Sequence, residues 1–169
     1  LAYTSWAINE DTGVNMTRHS MTPLITTIGS GSSLVMFALA RNVIPQRMQA
    51  IFTLTCAMAY GNATTSASIT IETNGPPLPG LLSVTPSSGT ELLTTFLFSA
   101  AMWEDEDLPL SYSFQYTDPA SEDTQVIKSR TETSYVESQL PAGILRNDFI
   151  VLCAAQVFDS MNAVSTSKD

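Results

Sequence analysis

The sequence predicts an all-β chain of two β-sandwiches in tandem, the first lacking its opening strands. Three observations carry this. Short segments alternate apolar and polar residues with the two-residue period of half-buried strands. Turn clusters separate them, at residues 86–89, 105–109, 117–121 and 140–143, and many short strands so spaced argue for sandwiches. The pattern also occurs twice, with a Pro-rich break between the copies.

In chain order, Leu1-Ala2-Tyr3-Thr4-Ser5-Trp6 alternates from the start. Residues 33–41 are apolar all round and helix-like, but glycines and serines bound them, so they read as a strand. Phe52-Thr53-Leu54-Thr55-Cys56-Ala57 and Ala67-Ser68-Ile69-Thr70-Ile71-Glu72 read as two more, joined by a hairpin tip at Tyr60-Gly61-Asn62. In the second half, Leu81-Leu82-Ser83-Val84, residues 94–100 and Ser111-Tyr112-Ser113-Phe114-Gln115-Tyr116 follow as strands. Phe149-Ile150-Val151-Leu152-Cys153-Ala154 is a continuous apolar run, as expected of a central strand. The predicted inter-sheet core is Phe96, Phe98, Trp103, Tyr112, Phe114, Ile150 and Leu152.

The repeat sets the domain limits. Phe52 to Ala57 matches Phe149 to Ala154, which places Cys56 against Cys153, and each is followed by a tip and an alternating segment. Leu1 to Trp6 matches Leu110 to Phe114. The break at Asn74-Gly75-Pro76-Pro77-Leu78-Pro79-Gly80 therefore separates an Ig-like β-sandwich at 1–75 from a second at 76–169, joined by a proline-stiffened hinge. The second has strands ahead of Leu110 with no counterpart before Leu1, so the first is expected to be partial.

Composition narrows the function. Apolar residues make up 44% and charged residues only 14%, so Thr, Ser and Asn must cover the surface. Seven Lys+Arg stand against sixteen Asp+Glu. Without a basic stripe, binding to nucleic acid and to anionic membrane is not expected. Two cysteines make neither a disulfide scaffold nor a metal motif. Both sit in apolar runs and read as buried thiols, with pairing of Cys56 outside the segment left open.

The candidate sites are few. Asn15-Met16-Thr17 and Asn62-Ala63-Thr64 are N-glycosylation sequons, so Asn15 and Asn62 are candidate glycan carriers in an exported chain. Within the acidic run 104–107, Glu104, Asp105 and Asp107 could serve a Ca²⁺ ion, a hard cation that takes carboxylate oxygens; an acidic turn is the plainer reading. His19 beside Ser20 has no third group to make it a catalytic base. Gly29-Ser30-Gly31-Ser32-Ser33 lacks the lysine of a phosphate loop and reads as a hairpin loop. Trp6 and Trp103 read as core residues, not sugar platforms.

The ordered string Val84-Thr85-Pro86-Ser87-Ser88-Gly89-Thr90, Thr94-Thr95-Phe96 and Trp103-Glu104-Asp105-Glu106-Asp107-Leu108-Pro109-Leu110-Ser111-Tyr112-Ser113-Phe114 resembles the receptor-for-egg-jelly (REJ) module of polycystin-type ectodomains and protist surface proteins. The resemblance is close from Pro76 to Phe114 and looser elsewhere. It implies a row of fibronectin-III/Ig-like sandwiches and an extracellular role in adhesion, ciliary surfaces or force-bearing stalks. Family members often pair a cysteine on the strand before the Trp with one on the later strand. Phe98-Ser99-Ala100-Ala101-Met102 has none, so the resemblance leaves Cys153 a free thiol.

The expected function is a structural or adhesive repeat segment of a large cell-surface or ciliary-surface protein. The alternative is a carbohydrate-binding or Ca²⁺-dependent receptor ectodomain module. No enzyme activity and no cofactor are expected. The expected partners are neighbouring domains of the same polypeptide, other surface or filament proteins, and attached N-glycans.

Overall fold

The computed structural model describes residues 1–29 and 31–168. Ser30, in the middle of the predicted hairpin loop, lies outside them. The chain divides into two compact units, Leu1–Gly75 and Pro76–Asp169, and its strands pair in three antiparallel sheets.

Unit 1 holds β1 (Ala2–Ile8), a 3-10 turn (Glu10–Thr12), α1 (Met16–His19), β2 (Ile25–Ile28), β3 (Gln49–Met58) and β4 (Thr64–Glu72). The strands form one sheet in the order β2-β1-β3-β4. Register sets its faces, because partners across a ladder point to the same side. Trp6 pairs with Leu54, Thr4 with Cys56, Ile8 with Phe52, and Phe52 in turn with Ile69. One face therefore carries Trp6, Ile8, Phe52, Leu54, Cys56, Ile69 and Ile71. The other carries Ser5, Thr53, Thr55, Ser66 and Ser68, with the Thr53 and Ser68 hydroxyls 2.8 Å apart, and is solvated. Phe37 packs on the apolar face, its ring centroid 5.2 Å from that of Trp6 and 5.6 Å from that of Phe52.

Residues 33–41, predicted as a strand, are not one. The segment alternates as a strand does: Val35, Phe37 and Leu39 are half-buried while Leu34 and Met36 are exposed. Among the described residues it belongs to no sheet, and a β-bridge joins Leu39 to Ser20. An extended segment becomes a strand only when a neighbour supplies the ladder.

Unit 2 holds β5 (Leu81–Thr85), β6 (Phe96–Ala101), β7 (Ser111–Thr117), β8 (Thr124–Thr131), β9 (Tyr135–Ser138), a 3-10 turn (Leu145–Asn147), β10 (Cys153–Phe158) and β11 (Val164–Lys168). They form two sheets, β5-β6-β9 and β11-β10-β7-β8. One core joins them: Leu82, Phe96, Phe98 and Ala100 from the first sheet, Phe114, Cys153, Ala155 and Val157 from the second, with Trp103 and Leu140 from connections. Tyr112 packs against it half-buried, and burial pushes its phenol above the ordinary value.

Two sequence expectations fail here. The central strand is not residues 149–154 but β10, and Ile150 and Leu152 are 58% and 53% exposed instead of core. Asp148 and Phe149 have φ of 50° and 61°. That left-handed conformation turns the chain and cannot continue a strand. The core side chains of this strand are thus Cys153, Ala155 and Val157.

The second correction concerns the repeat. The hairpins close at Ala57↔Thr64 and Phe158↔Val164, and the pairs Trp6↔Leu54 and Phe114↔Ala155 fall at the same distance from them. Phe52 therefore corresponds to Cys153, and Cys56 to Val157. The repeat is present, with β2-β1-β3-β4 matching β8-β7-β10-β11 strand for strand, but Cys56 and Cys153 are not equivalent. The slip is an even number of residues, so inward and outward positions coincide in both registers and the apolar pattern matches either way.

Candidate functional site

The acidic run 104–107 lies in the connection from β6 to β7, and the structure splits it. Glu104 is exposed, and its backbone is bridged to Leu78, whose N–H donates to the Glu104 carbonyl at 2.8 Å. Asp105 and Asp107 instead turn toward the β10–β11 hairpin tip. There they meet Asp159, and carboxylate oxygens of the three lie within 4.8 Å of one another. Of the three sequence candidates for a cation, Glu104 is not in the cluster, and Asp159 takes a place that the sequence reading did not assign.

Local hydrogen bonds hold this corner. The Asp107 N–H donates to Asp105 Oδ1 at 2.9 Å, an Asx turn that folds the run back on itself. The Ser160 N–H donates to the Asp107 carbonyl at 3.0 Å, joining the two loops. Asp159 is fully buried, and its Oδ1 accepts from the Ala163 N–H at 2.8 Å across the hairpin tip. From β8, Arg130 reaches over the same tip: Nη2 donates to the Asp159 carbonyl at 2.9 Å, Nη1 to Asn162 Oδ1 at 2.6 Å and Nε to Ser111 Oγ at 2.5 Å. Its guanidinium lies 4.6 Å from the Phe158 ring centroid, a cation–π placement. A Ca²⁺ ion holds oxygens at roughly 2.3–2.6 Å, so ligands across it stand about 5 Å apart. The Asp105, Asp107 and Asp159 spacing has that scale.

The sequons lie on unit 1. Asn62 sits exposed in the β3–β4 tip. Asn15 is exposed as well and caps α1, its Oδ1 accepting from the Arg18 N–H at 3.0 Å. Neither the helix nor its cap was read from the sequence, although Asn15 is a favoured capping residue.

The remaining candidates are packed or scattered. Trp103 is buried in the unit 2 core, and Trp6 is half-buried with Phe37 stacked on it. His19 ends α1 half-buried, and its carbonyl accepts from Ala40. Cys56 is half-buried on the apolar face of the sheet, and Cys153 is buried. A cleft of about 640 Å³ opens in unit 2 between the 86–91 and 140–151 segments, lined among others by Pro86, Ser88, Pro141, Phe149 and Ile150. Among the described residues no helix is long and apolar enough to cross a membrane.

No curated protein matches the chain. A family model described as the REJ domain matches residues 2–168. It spans both β-units and includes the Trp103 to Phe114 string with its acidic corner. The chain therefore belongs to the REJ domain family.

Proposed function

We propose that this chain is an extracellular structural and adhesive segment of a large cell-surface or ciliary-surface protein of the polycystin type. The observation that carries the reading is the family match over residues 2–168. The three-plus-four strand arrangement of unit 2 and the matching four-stranded sheet of unit 1 support serial fibronectin-III/Ig-like modules. The solvated Thr/Ser face of unit 1 and the net charge of −9 suit a secreted surface. We read the chain as non-catalytic, with neighbouring domains and other surface or filament proteins as its partners, and Asn15 and Asn62 as glycan carriers.

Mechanical pulling of the full chain tests the load-bearing part. Unit 2 should unfold in one discrete event that releases about 30 nm, the extended length of its residues at roughly 3.4 Å each. Gradual stretching without such an event would remove the stalk role. Expression through a secretory pathway followed by glycosidase digestion should shift the mass by two glycans.

A second reading, a Ca²⁺-dependent receptor module, draws on the Asp105, Asp107 and Asp159 cluster. In it, Ca²⁺ stiffens unit 2 by joining the β6–β7 connection to the β10–β11 tip. Calcium at one hundred times its Kd should then stabilise unit 2 by about 2.7 kcal/mol, and Asp159→Asn should abolish the gain. A calorimetric titration with no heat and an unchanged Tm would dismiss it. A glycan array serves the carbohydrate variant of the same reading.

A further inference from the structure

Each unit has a four-stranded sheet of matching strand order, and the two sheets differ in what covers them. In unit 2 the inward face of β11-β10-β7-β8 lies under β5-β6-β9, and Val157 and Ala155 are fully buried. In unit 1 the matching face holds Trp6, Phe52, Leu54 and Cys56, and the described residues place no second sheet over it. Phe37 covers the Trp6 and Phe52 rings. Farther along the face, Ile69 and Ile71 are 58% and 41% exposed, and Cys56 is half-buried where its equivalent Val157 is sealed.

The segment at residues 34–40 makes the comparison sharper. It occupies the place in the chain, between β2 and β3, that β9 occupies between β8 and β10. β9 is a strand because it pairs with β6, Phe98 opposite Val136. Residues 34–40 have the same in–out alternation and lie over the same face, yet they join no sheet, and Leu34 is 87% exposed. Ala2, Thr4, Ala50 and Phe52 on this face are buried, so the unit presents an apolar face that is open toward β4 and the Cys56 end of β3, and beside it a strand-like segment bonded to residues 19–22 only through its residues 38–40.

We propose that this face is a docking surface for an antiparallel pair of β-strands with apolar side chains at alternate positions, the chemistry of β5 and β6, whose inward residues are Leu82, Val84, Phe96, Phe98 and Ala100. One strand of the pair hydrogen-bonds to residues 34–40 as β6 does to β9, and its partner lies beyond it over Cys56. This is strand addition, with the ladder supplying affinity and the alternate side chains supplying selectivity. Burial of the exposed isoleucines supplies the driving force. Thr65 matches Ser165, whose hydroxyl donates to the Pro77 carbonyl ahead of β5, so a hydroxyl already stands where the lead-in to such a pair would pass.

Cys56 reports on the face without any substitution. The register match sets Leu1 against Pro109, so residues 76–108 can be grafted directly ahead of Leu1 in the full chain. In the ungrafted chain Cys56 should react with a thiol reagent, while Cys153 stays protected. In the graft Cys56 should slow by about tenfold or more, and amides of residues 34–40 should gain hydrogen-exchange protection. A graft whose added copy carries Phe96→Ser and Phe98→Ser should lose both effects. If the graft does not fold, a peptide of residues 76–108 added to the full chain decides: saturable slowing of Cys56 supports the proposal. An unchanged Cys56 rate with both graft and peptide would overturn it. So would protection of Cys56 in the ungrafted chain that grows with protein concentration alongside dimer in sedimentation, since the face would then belong to a second copy.

Discussion

Phe98→Ala is expected to cost unit 2 about 3–5 kcal/mol of unfolding free energy, the range for removing a large aromatic from a packed core. Phe98 is fully buried on the central strand of its sheet. Its ring meets that of Phe114 edge-on at 6.4 Å between centroids, so the two rings join the sheets across the core. Truncation loses the burial of one ring and leaves the other beside a cavity. Domains of this size are stable by only about 5–15 kcal/mol, so a large share would go. Chemical denaturation of the full chain, followed through the fluorescence of the buried Trp103, measures the change. Leu152→Ala is the matched control. Its sequence neighbourhood reads as core, but it is exposed, and its loss should stay within about 0.5 kcal/mol. Equal losses for the two variants would mean that β10 had been misplaced.

Gly80→Val should destabilise unit 2 by about 1–3 kcal/mol or more, through overpacking. A Cβ at Gly80 would stand 2.2 Å from the Ala101 carbonyl oxygen and 2.5 Å from Trp103 Cδ1. Neither can yield cheaply, because one is ladder backbone and the other belongs to a buried ring. The start of β5 would have to lift off the end of β6, taking with it the cover over Trp103. Gly61 is the contrast. Its position has nothing within 4 Å of an added Cβ but holds φ at 100°, so Gly61→Val strains the backbone without touching the core. Thermal unfolding of both variants separates a packing cost from a conformational one. A Gly80 variant that melts like the parent would mean that β5 does not lie against Trp103.

The strands that sequence reading located are those with apolar side chains at alternate positions. β1, β4, β5 and β7 announce themselves by alternation, because each residue's polarity reports which side of the sheet it occupies. The strands it missed lack that contrast. β8 (Thr124–Thr131) edges its sheet and has only two apolar residues, Val126 and Ile127, which are adjacent and so show no alternation, while β2 and β9 are only four residues each. At residues 149–152 apolarity misled, since two left-handed residues aim that run at solvent.

The acidic corner divides the same way. Asp105 and Asp107 are neighbours in the chain, and their side-by-side placement follows from a local turn. Asp159 joins them only because the β10–β11 hairpin brings its tip to the β6–β7 connection. Composition and periodicity were enough for an all-β chain and a repeat, since these depend on which residues are apolar and how often they recur; the family was carried by the resemblance of the ordered string from Val84 to Phe114. The partners across sheets, the register between repeats and the face left open in unit 1 depend on which strands find each other across long loops. Local pattern cannot carry that choice, because a ladder shifted by an even number of residues buries the same side chains on the same face.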